Sequence, residues 1–416
     1  MALRWSGLLV MPRILRCLNV SRISAMLLRS CFLYGTVFGV ITFRIERKNS
    51  QLVAINRRGY LWICLVIRLL ASCSYGYSYY AWSGQYDDLY LRAFFGFRLI
   101  GCLICSVIIL VMQFWFGEEL LSLVNRFLQL FRRMQSLTNS QKNRFGDRAE
   151  FLLMFTKVFS LLFVFMAFRL MLSPWFLLTL LCDLYTSVGT GMITHLCFVG
   201  YLSIGVLYRD LNNYVDCQLR AQLRSLNGEN DSLNSQPKRQ AISNLDKCLY
   251  LYDEIHQVSR SFQRLFDLPL FLSLAQSLLA MTMVSYHAFL RRQYSFNLWG
   301  LVIKLLVDVV LLTMSVHSAV NGSRLIRRLS FENFYVTDSQ SYHQKVSPGA
   351  ITLRFKFDTF PILQLELFLG RLHHQELRVF PLGLYEVSNE LTLFFLSAML
   401  TYLVFLVQYG MQSQQI

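Results

Sequence analysis

The sequence NELTLFFLSAMLTYLVFLVQYG, residues 389–410, lies close to the end of the chain and is predominantly apolar. It is longer than the roughly 20 residues that a helix needs to cross the hydrocarbon core of a membrane. Four of its polar side chains fall within about 40° of one line along such a helix, since each residue turns the helix by about 100°. These four residues, called the polar line below, are Glu390, Ser397, Thr401 and Gln408.

The polar line allows two interpretations, because polar side chains on one face of a membrane helix have to meet water or another polar surface. Copies of the helix around a common axis would form a narrow pore. Glu390 at its inner mouth would favour cations, and apolar positions such as Val404 could close it by dewetting. The alternative is that the polar line forms hydrogen bonds with a neighbouring helix, as polar side chains in membranes often do.

Six further apolar stretches precede this one, and each is long enough to cross a membrane. The seven predicted spans are Tyr60–Ala81, Leu91–Phe116, Phe151–Leu172, Leu177–Leu207, Leu268–Leu290, Leu298–Val320 and Leu391–Gly410. The sequence therefore predicts an all-α integral membrane protein with seven transmembrane helices.

The basic residues predict the orientation of the spans. The N-terminal segment and the second, fourth and sixth loops hold 32 of the 40 Lys and Arg residues, whereas the other loops and the C-terminal tail hold two. Because Lys and Arg are retained on the cytoplasmic side, the N-terminus is expected inside the cell and the C-terminus outside. That polarity is opposite to the polarity of a G-protein-coupled receptor.

The net charge of +16 is spread over the predicted cytoplasmic loops rather than gathered in one patch. This distribution favours anionic lipid of the inner leaflet as a partner and argues against nucleic acid. The first 30 residues lack the apolar core and small-residue cleavage site of a signal peptide. Residues Cys31–Phe43 are apolar but too short to span, and they predict an interfacial or re-entrant element.

The chain is expected to have four parts. Residues 1–59 form a cytoplasmic segment, 60–320 the first six spans with cytoplasmic extensions, 321–388 a cytoplasmic anchor segment, and 389–416 the seventh helix with a short outer tail.

The predicted cytoplasmic loops carry helical patterns of their own. In the fourth loop, apolar residues recur every three or four positions from Ile242 to Leu265, which predicts an amphipathic helix that runs into the fifth span. The second loop has a similar pattern around Leu121, Val124, Leu128 and Phe131. Such extensions either pack together into a cytoplasmic anchor platform or lie flat on the membrane.

The sequence does not indicate an enzyme, a metal site or a cofactor. His195, His287 and His317 are dispersed along the chain, so no acid–base cluster within the spans supports catalysis or transport. Cys102 and Cys105 have C-x-x-C spacing but sit mid-span, where small packing residues are the expected role. The absence of a sequence repeat also argues against a transporter built from duplicated halves.

The seventh span also carries a signature. Thr401-Tyr402 is followed by five apolar residues and then by Gln408-Tyr409, which resembles the C-terminal TY-(apolar)5-QF signature of the insect gustatory receptors. Tyr409 stands where that signature has Phe. The run FPLGLY, residues 380–385, also resembles the sequence that precedes the last helix in that family.

The resemblance implies a ligand-gated, non-selective cation channel in the plasma membrane of chemosensory neurons, including their dendrites. It implies a homo- or heterotetramer with other gustatory receptor subunits, in which each seventh helix lines a central pore and cytoplasmic extensions hold the subunits together. Carried over by position, Gln408 and Tyr409 lie at the constriction near the outer mouth, and Thr401 and Tyr402 lie a turn or two deeper. The alternatives are a metabotropic seven-helix receptor and a membrane transporter.

In that family a small-molecule tastant enters from outside, among the outer halves of the helices before the seventh. The ligand-binding candidates at this depth are Arg98, Arg169, Asp183, Tyr185, Tyr286 and Trp299. The charged candidates form either a structural ion pair or part of a polar pocket. The aromatic candidates belong either to an interfacial belt or to a cleft that stacks on a sugar or an alkaloid.

Three more charges lie within the predicted spans. Lys304 and Asp308 are four residues apart on the sixth span, which predicts an internal ion pair on one helix face. Lys157 lies near the inner end of the third span, and its side chain is expected to reach the lipid headgroups.

Overall fold

The computed structural model describes residues 20–48, 51–83, 89–138, 145–169, 177–219, 235–290, 296–331 and 377–413. Its α-helices are α1 Val20–Val37, α2 Arg58–Ser83, α3 Leu89–Phe114, α4 Gly117–Thr138, α5 Arg148–Arg169, α6 Leu177–Tyr214, α7 Ser235–Leu290, α8 Phe296–Phe331 and α9 Asn389–Ser413. A π-helical turn, Val215–Leu219, continues α6, and a 3₁₀ turn, Pro381–Gly383, precedes α9. Two strands, β1 Phe43–Lys48 and β2 Gln51–Asn56, form an antiparallel hairpin.

Each of the seven predicted spans lies largely within a helix of its own, namely α2, α3, α5, α6, α7, α8 and α9; residues 170–172, at the end of the third predicted span, lie outside the described residues. Within the described residues, four segments are long and apolar enough to cross a membrane: Arg58–Tyr77, Gly191–Leu219, Asp246–Tyr286 and Trp299–Arg324. The C-terminal part of α3, Leu99–Phe114, and the whole of α4 pass that test only together, as a pair bent by 72°. The apolar part of α9, Glu390–Phe405, is shorter. The chain is thus a multi-pass, predominantly helical membrane protein.

Helix α6 lies at the centre of the bundle and packs against α2, α7 and α8. Its surface has small residues where other helices come close. A side chain at Gly200 would collide with the ring of Phe262 on α7, and a Cβ at Gly205 would lie 3.3 Å from the backbone of Ala319 on α8. Membrane helices use such small residues to approach closely, because tight packing rather than expulsion of water drives their association.

The β-hairpin departs from the all-α prediction. Ile45 on β1 faces Ala54 on β2, and the side chain of Asn125 on α4 holds the outer edge of β2. The amide nitrogen of Ala54 donates to Oδ1 of Asn125 at 2.7 Å, and Nδ2 of Asn125 donates to the carbonyl of Ala54 at 3.3 Å. An isolated two-stranded hairpin is marginal in water, so this clamp and the buried side chains of Phe43 and Ala54 explain why it forms.

The apolar stretch Cys31–Phe43 does not form one element as predicted. It contains the end of α1, a turn and the first residue of β1. Gly39, with φ 62°, ends the helix in a Schellman motif, in which the amides of Gly39 and Val40 donate to the carbonyls of Thr36 and Gly35 at 2.9 and 3.0 Å. Glycine is favoured at this position because it adopts positive φ without a steric penalty.

The amphipathic pattern of the fourth loop belongs to α7, which continues without interruption into the fifth predicted span. The predicted apolar stripe is turned inward: Tyr252, Ile255 and Val258 are buried. The extensions pack on one another rather than lying separately, since Nη1 of Arg133 on α4 is 2.6 Å from Oε2 of Glu254 on α7. These contacts favour the platform over helices that lie flat on a membrane.

The buried residues of helix α4 are not those of the predicted apolar stripe. Its buried residues are Leu123, Leu130 and Met134, whereas Leu121 and Val124 are only partly buried and pack against the hairpin. The helix therefore contacts two surfaces, and a single apolar stripe does not describe it.

Candidate pore helix and intramembrane polar sites

Helix α9 is positioned by the turn that precedes it. The amide of Val387 donates to the carbonyl of Val379 at 2.9 Å and closes the loop around Pro381–Gly383. The ring of Tyr385 packs 6.3 Å from the ring of Phe271 on α7, centroid to centroid. Burial, with a smaller contribution from the negative charge of Asp267, raises the pKa of Tyr385 to about 12, so this residue stays neutral. The FPLGLY run thus fixes where α9 begins.

One face of α9 packs on α7 and α8. This packed face comprises Leu391, Thr392, Phe395, Leu396, Met399, Leu403 and Val407, all buried or partly buried. It has polar contacts of its own. The hydroxyls of Thr392 and Thr313 on α8 are 3.3 Å apart, and Oγ of Ser285 on α7 donates to Sδ of Met399 at 3.8 Å.

The polar line lies on the opposite face. All four of its residues are exposed, and the hydroxyl of Thr401 donates to the carbonyl of Ser397 in its own helix at 2.9 Å. The exposed apolar residues of α9 surround this line: Leu393, Phe394, Leu400, Val404 and Phe405. One side of α9 is therefore packed within the subunit, and the side whose centre is polar is exposed.

Two predicted pore residues differ from the rest. Tyr402 is 55% exposed, but it lies about 120° from the polar line at 100° per residue, between the directions of Leu391 and Phe395 on the packed face. It is therefore not part of the polar line within this subunit. The side chain of Tyr409 lies outside the described part of the structure.

The predicted ligand-binding residues are only partly described. Arg98, Arg169 and Asp183 lie in α3, α5 and α6, but their side chains are outside the described part. Tyr286 is buried on α7, and Trp299 is partly exposed near the start of α8.

Tyr185 lies in a polar contact that the sequence did not predict. The guanidinium carbon of Arg68 on α2 is 5.1 Å from the centroid of the Tyr185 ring, and Nη2 of Arg68 donates to the carbonyl of Phe38 at 2.8 Å. The hydroxyl of Tyr185 fills the space where a side chain at residue 39 would lie. Tyr185 thus contributes to holding the turn after α1.

Gln113 on α3 holds the same turn. Its Nε2 donates to the carbonyls of Gly39 and Val40 at 2.6 and 3.0 Å. Arg68 and Gln113 are both buried, and neither contact was predicted from the sequence. The available signal was the intramembrane charge of Arg68, because such charges are retained only where they have a structural or functional role.

The predicted pair of Lys304 and Asp308 is present, with Nζ and Oδ2 2.7 Å apart. The prediction for Lys157 is wrong. Its side chain is 1% exposed and points into the bundle, where Nζ lies 2.8 Å from Oδ1 of Asp308. The hydroxyl of Ser160 also donates to that oxygen at 2.9 Å. Lys157, Ser160, Lys304 and Asp308 are called the charge cluster below.

The charge cluster joins α5 to α8. Lys157 turns inward rather than toward the headgroups because a carboxylate lies within reach, and pairing two opposite charges reduces the cost of holding each in an apolar surrounding. Its Nζ is also 5.8 Å from the ring centroid of Phe198 on α6, a distance at which an ammonium group is attracted to an aromatic face. Three helices thus meet at this one cation.

Cys102 and Cys105 are buried on α3, in agreement with a packing role. The Sγ of Cys102 accepts hydrogen bonds from Tyr75 at 3.6 Å and from Gln276 at 3.1 Å. Across the part of the chain that the structure describes, no three His, Cys, Asp or Glu residues lie together as metal ligands would.

Comparison with known proteins identifies the family. The profile of the 7tm chemosensory receptor family matches residues 28–348 and 362–413. The chain is 89% identical to "Putative gustatory receptor 93b" of Drosophila melanogaster, over 99% of this chain and 100% of the relative. The chain belongs to the insect gustatory receptor family. It is also 37% identical to "Putative gustatory receptor 93c" of the same fly, over 97% of this chain and 99% of the relative.

More distant similarities are consistent with this assignment. The receptor is 22% identical to "Gustatory receptor for bitter taste 93a" of Drosophila melanogaster, over 89% of this chain and 88% of the relative. Its fold resembles the insect olfactory receptor OR5 of Machilis hrabei in complex with eugenol, with a TM-score of 0.54 over 93% of this chain and 97% of the other. The identity to OR5 is 11%, so this similarity concerns the fold alone.

Proposed function

We propose that this gustatory receptor is a subunit of a ligand-gated, non-selective cation channel in the plasma membrane of chemosensory neurons, including their dendrites. Four subunits, identical or mixed with other gustatory receptors, place their α9 helices around a central pore. The polar line faces the water in that pore, with Glu390 at the inner mouth and Gln408 with Tyr409 near the outer one.

The position of the polar line on α9 carries this proposal. A polar line that bonded to a neighbouring helix of its own subunit would lie on the packed face, but its residues are exposed on the opposite face. Lipid is an unfavourable neighbour for a carboxylate and a carboxamide, which leaves water or another polar surface. Several copies of α9 around one axis supply both.

The ligand is proposed to be a small-molecule tastant that binds among the outer halves of the helices before α9. Arg98, Arg169, Asp183, Tyr286 and Trp299 remain the residues proposed to contact it, while Tyr185 is more directly explained by its contacts with Arg68 and the turn after α1. The 22% identical relative named for bitter taste makes bitter compounds the first class to test.

The test is a current measurement in cells that lack G-protein signalling. The receptor, alone and with co-expressed relatives, is exposed to quinine, caffeine, denatonium and sucrose. A channel gives a fast current that reverses near the potential of a non-selective cation conductance. A response that requires added G protein would contradict the proposal and favour a metabotropic receptor.

The residues are tested by a matched pair on α9. Gln408→Ala removes a polar side chain from the polar line, whereas Val407→Ala shortens the adjacent side chain on the packed face. We expect Gln408→Ala to change the conductance or the permeability ratios and Val407→Ala to leave them unchanged. Unaltered permeation in Gln408→Ala together with reduced assembly would assign the polar line to packing.

A further inference from the structure

The β-hairpin and the first turn of α2 carry a concentration of positive charge. Residues 44–58, called the basic segment below, contain five basic residues and one acidic residue, Glu46. Five positive charges and one negative charge give the segment a net charge of +4. Its basic residues are Arg44, Arg47, Lys48, Arg57 and Arg58.

The hairpin brings the two ends of the basic segment together. Arg44 on β1 lies opposite Ile55 on β2, and Arg57 follows Ile55 by two positions. Residues that differ by two positions across adjacent strands remain near neighbours. Arg44, Arg57 and Arg58 are all exposed, so arginines from both ends of the segment share one region of the surface.

These charges are hardly compensated within the chain. Arg44 and Glu46 form a pair of exposed side chains at 3.5 Å, which is a weak surface contact. Among the ion pairs of the described residues, none involves Arg57 or Arg58. Helix stability does not explain these two arginines either, because cations near the N-terminus of a helix are unfavourable. The basic segment therefore presents its charge to a partner outside the chain.

Arg58 lies at the lower end of an apolar face of α2 that points away from the bundle. Trp62, Val66 and Leu70 follow it at four-residue steps and are 60%, 53% and 65% exposed. Residues four positions apart share one helix face, and an exposed apolar face on a membrane helix contacts lipid. Arg58 thus lies about 6 Å before Trp62 along the helix axis, on the side that faces the lipid.

Two exposed tryptophans mark the level of the membrane surface at this end of the bundle. Trp62 packs against Phe114 on α3, with ring centroids 5.6 Å apart, and Trp115, directly after α3, is 81% exposed. Tryptophan is enriched at membrane–water interfaces because its ring is amphipathic. Since the distribution of Lys and Arg predicts that α2 begins in the cytoplasm, the basic segment lies at the headgroups of the inner leaflet.

From this arrangement we propose that the basic segment binds a phospholipid of the inner leaflet whose headgroup carries several phosphates, with its acyl chains along the exposed face of α2. Clusters of about four to eight Lys and Arg residues directly cytoplasmic of a membrane helix attract such anionic lipids. Arginine suits this partner because its planar guanidinium donates paired hydrogen bonds to phosphate oxygens. The inference goes beyond the proposed function and does not depend on a pore, since the site lies on the hairpin and α2 rather than on α9.

The experiment measures lipid binding to the full-length receptor, purified in detergent, by native mass spectrometry. The probes are short-chain phosphatidylinositol 4,5-bisphosphate, phosphatidylinositol and phosphatidylserine, together with inositol 1,4,5-trisphosphate, which has headgroup phosphates but no acyl chains. The test variant is Arg57→Gln with Arg58→Gln. The matched control is Lys247→Gln with Arg260→Gln, which removes two exposed charges from α7, about two turns or more before the fifth predicted span.

We expect the bisphosphate lipid to bind at least about tenfold more tightly than phosphatidylinositol. Each arginine near an anionic headgroup contributes about a factor of five, so the test variant should weaken this binding at least about tenfold and the control should leave it unchanged. Equal binding by the two double variants, or no preference for the bisphosphate, would overturn the inference. So would inositol trisphosphate that binds as tightly as the lipid, because the partner would then be a soluble phosphate compound.

Two single variants of the hairpin test the same site without changing α2. Arg44→Gln should weaken binding of the bisphosphate lipid about fivefold, whereas Glu46→Gln, which removes the acidic residue of the basic segment, should tighten it. Both positions are exposed, so a receptor with either change is expected to fold. Weaker binding by Glu46→Gln, or unchanged binding by Arg44→Gln, would refute a charge-driven lipid site even where the double variant does not fold.

Discussion

The charge cluster and the polar line both consist of polar side chains on apolar helices. The charge cluster is paired inside the subunit, whereas the polar line is exposed on its surface. In the charge cluster, the single carboxylate of Asp308 is contacted by two ammonium groups and a hydroxyl from α5 and α8, and one of these ammonium groups, that of Lys157, also lies against Phe198 on α6. The residues of the polar line are exposed on a helix whose other face is packed. Polar groups with partners inside the subunit stabilise its fold, and exposed ones are available to water or to other subunits.

The largest effect is expected from Asp308→Asn. It would leave the cations of Lys157 and Lys304 without their counter-charge, and removing one partner of a buried ion pair costs about 3–5 kcal/mol. We expect a strong loss of folded receptor, measured as the monodisperse fraction in detergent and its thermal unfolding temperature. The control is Glu46→Gln at an exposed position of the hairpin, which breaks a pair with Arg44 at 3.5 Å and should change stability by less than about 0.5 kcal/mol. Equal behaviour of the two variants would contradict a structural charge cluster.

A smaller loss is expected from Arg68→Gln. The shorter side chain gives up the hydrogen bond to the carbonyl of Phe38, and a hydrogen bond to a charged group contributes about 1.5–3 kcal/mol. The turn after α1 should loosen, so faster hydrogen exchange at residues 38–41 is the measurement. Arg58→Gln, at the exposed start of α2, serves as the control. Unchanged exchange in Arg68→Gln would show that Gln113 and the Schellman motif hold this turn unaided.

The smallest effect on stability is expected from substitutions of two threonines on α9. Thr392→Val removes the contact with Thr313 and should cost about 0.6 kcal/mol, the average for hydrogen bonds between membrane helices. Thr401→Val removes only a bond to its own helix, so stability should hold while conduction changes. The two variants are compared by thermal unfolding and by single-channel conductance. The opposite pattern, with Thr401→Val unstable and Thr392→Val altered in conduction, would reverse the assignment of the two faces.

Features that lie on a single helix were predictable because they depend on residues close together in the sequence. The polar line and the pair of Lys304 with Asp308 both follow from about 3.6 residues per turn. Lys157 is 151 positions from Asp308 in the chain, so its inward orientation depends on how α5 packs against α8. A single sequence contains no periodicity that would reveal such packing.

Two local features were missed for different reasons. The Schellman turn had a sequence signal in Gly39 at the end of an apolar helical stretch, but the apolar character of Cys31–Phe43 alone predicts one short element. The hairpin strands have six residues each, and their stability depends on the clamp by Asn125, which is 71 positions from Ala54. The pairing of Arg68 with the turn also depends on tertiary structure, so only the cost of its buried charge could have indicated a role.

The most direct test of the account is the accessibility of cysteines substituted one at a time from residue 396 to residue 408, probed with a water-soluble methanethiosulfonate reagent during ligand application. The account predicts modification of current at residues 397, 401 and 408, and protection at 396, 403 and 407 on the packed face. Reaction that follows the packed face instead, or no reaction along the polar line in a conducting receptor, would contradict the claim that α9 presents this line to water.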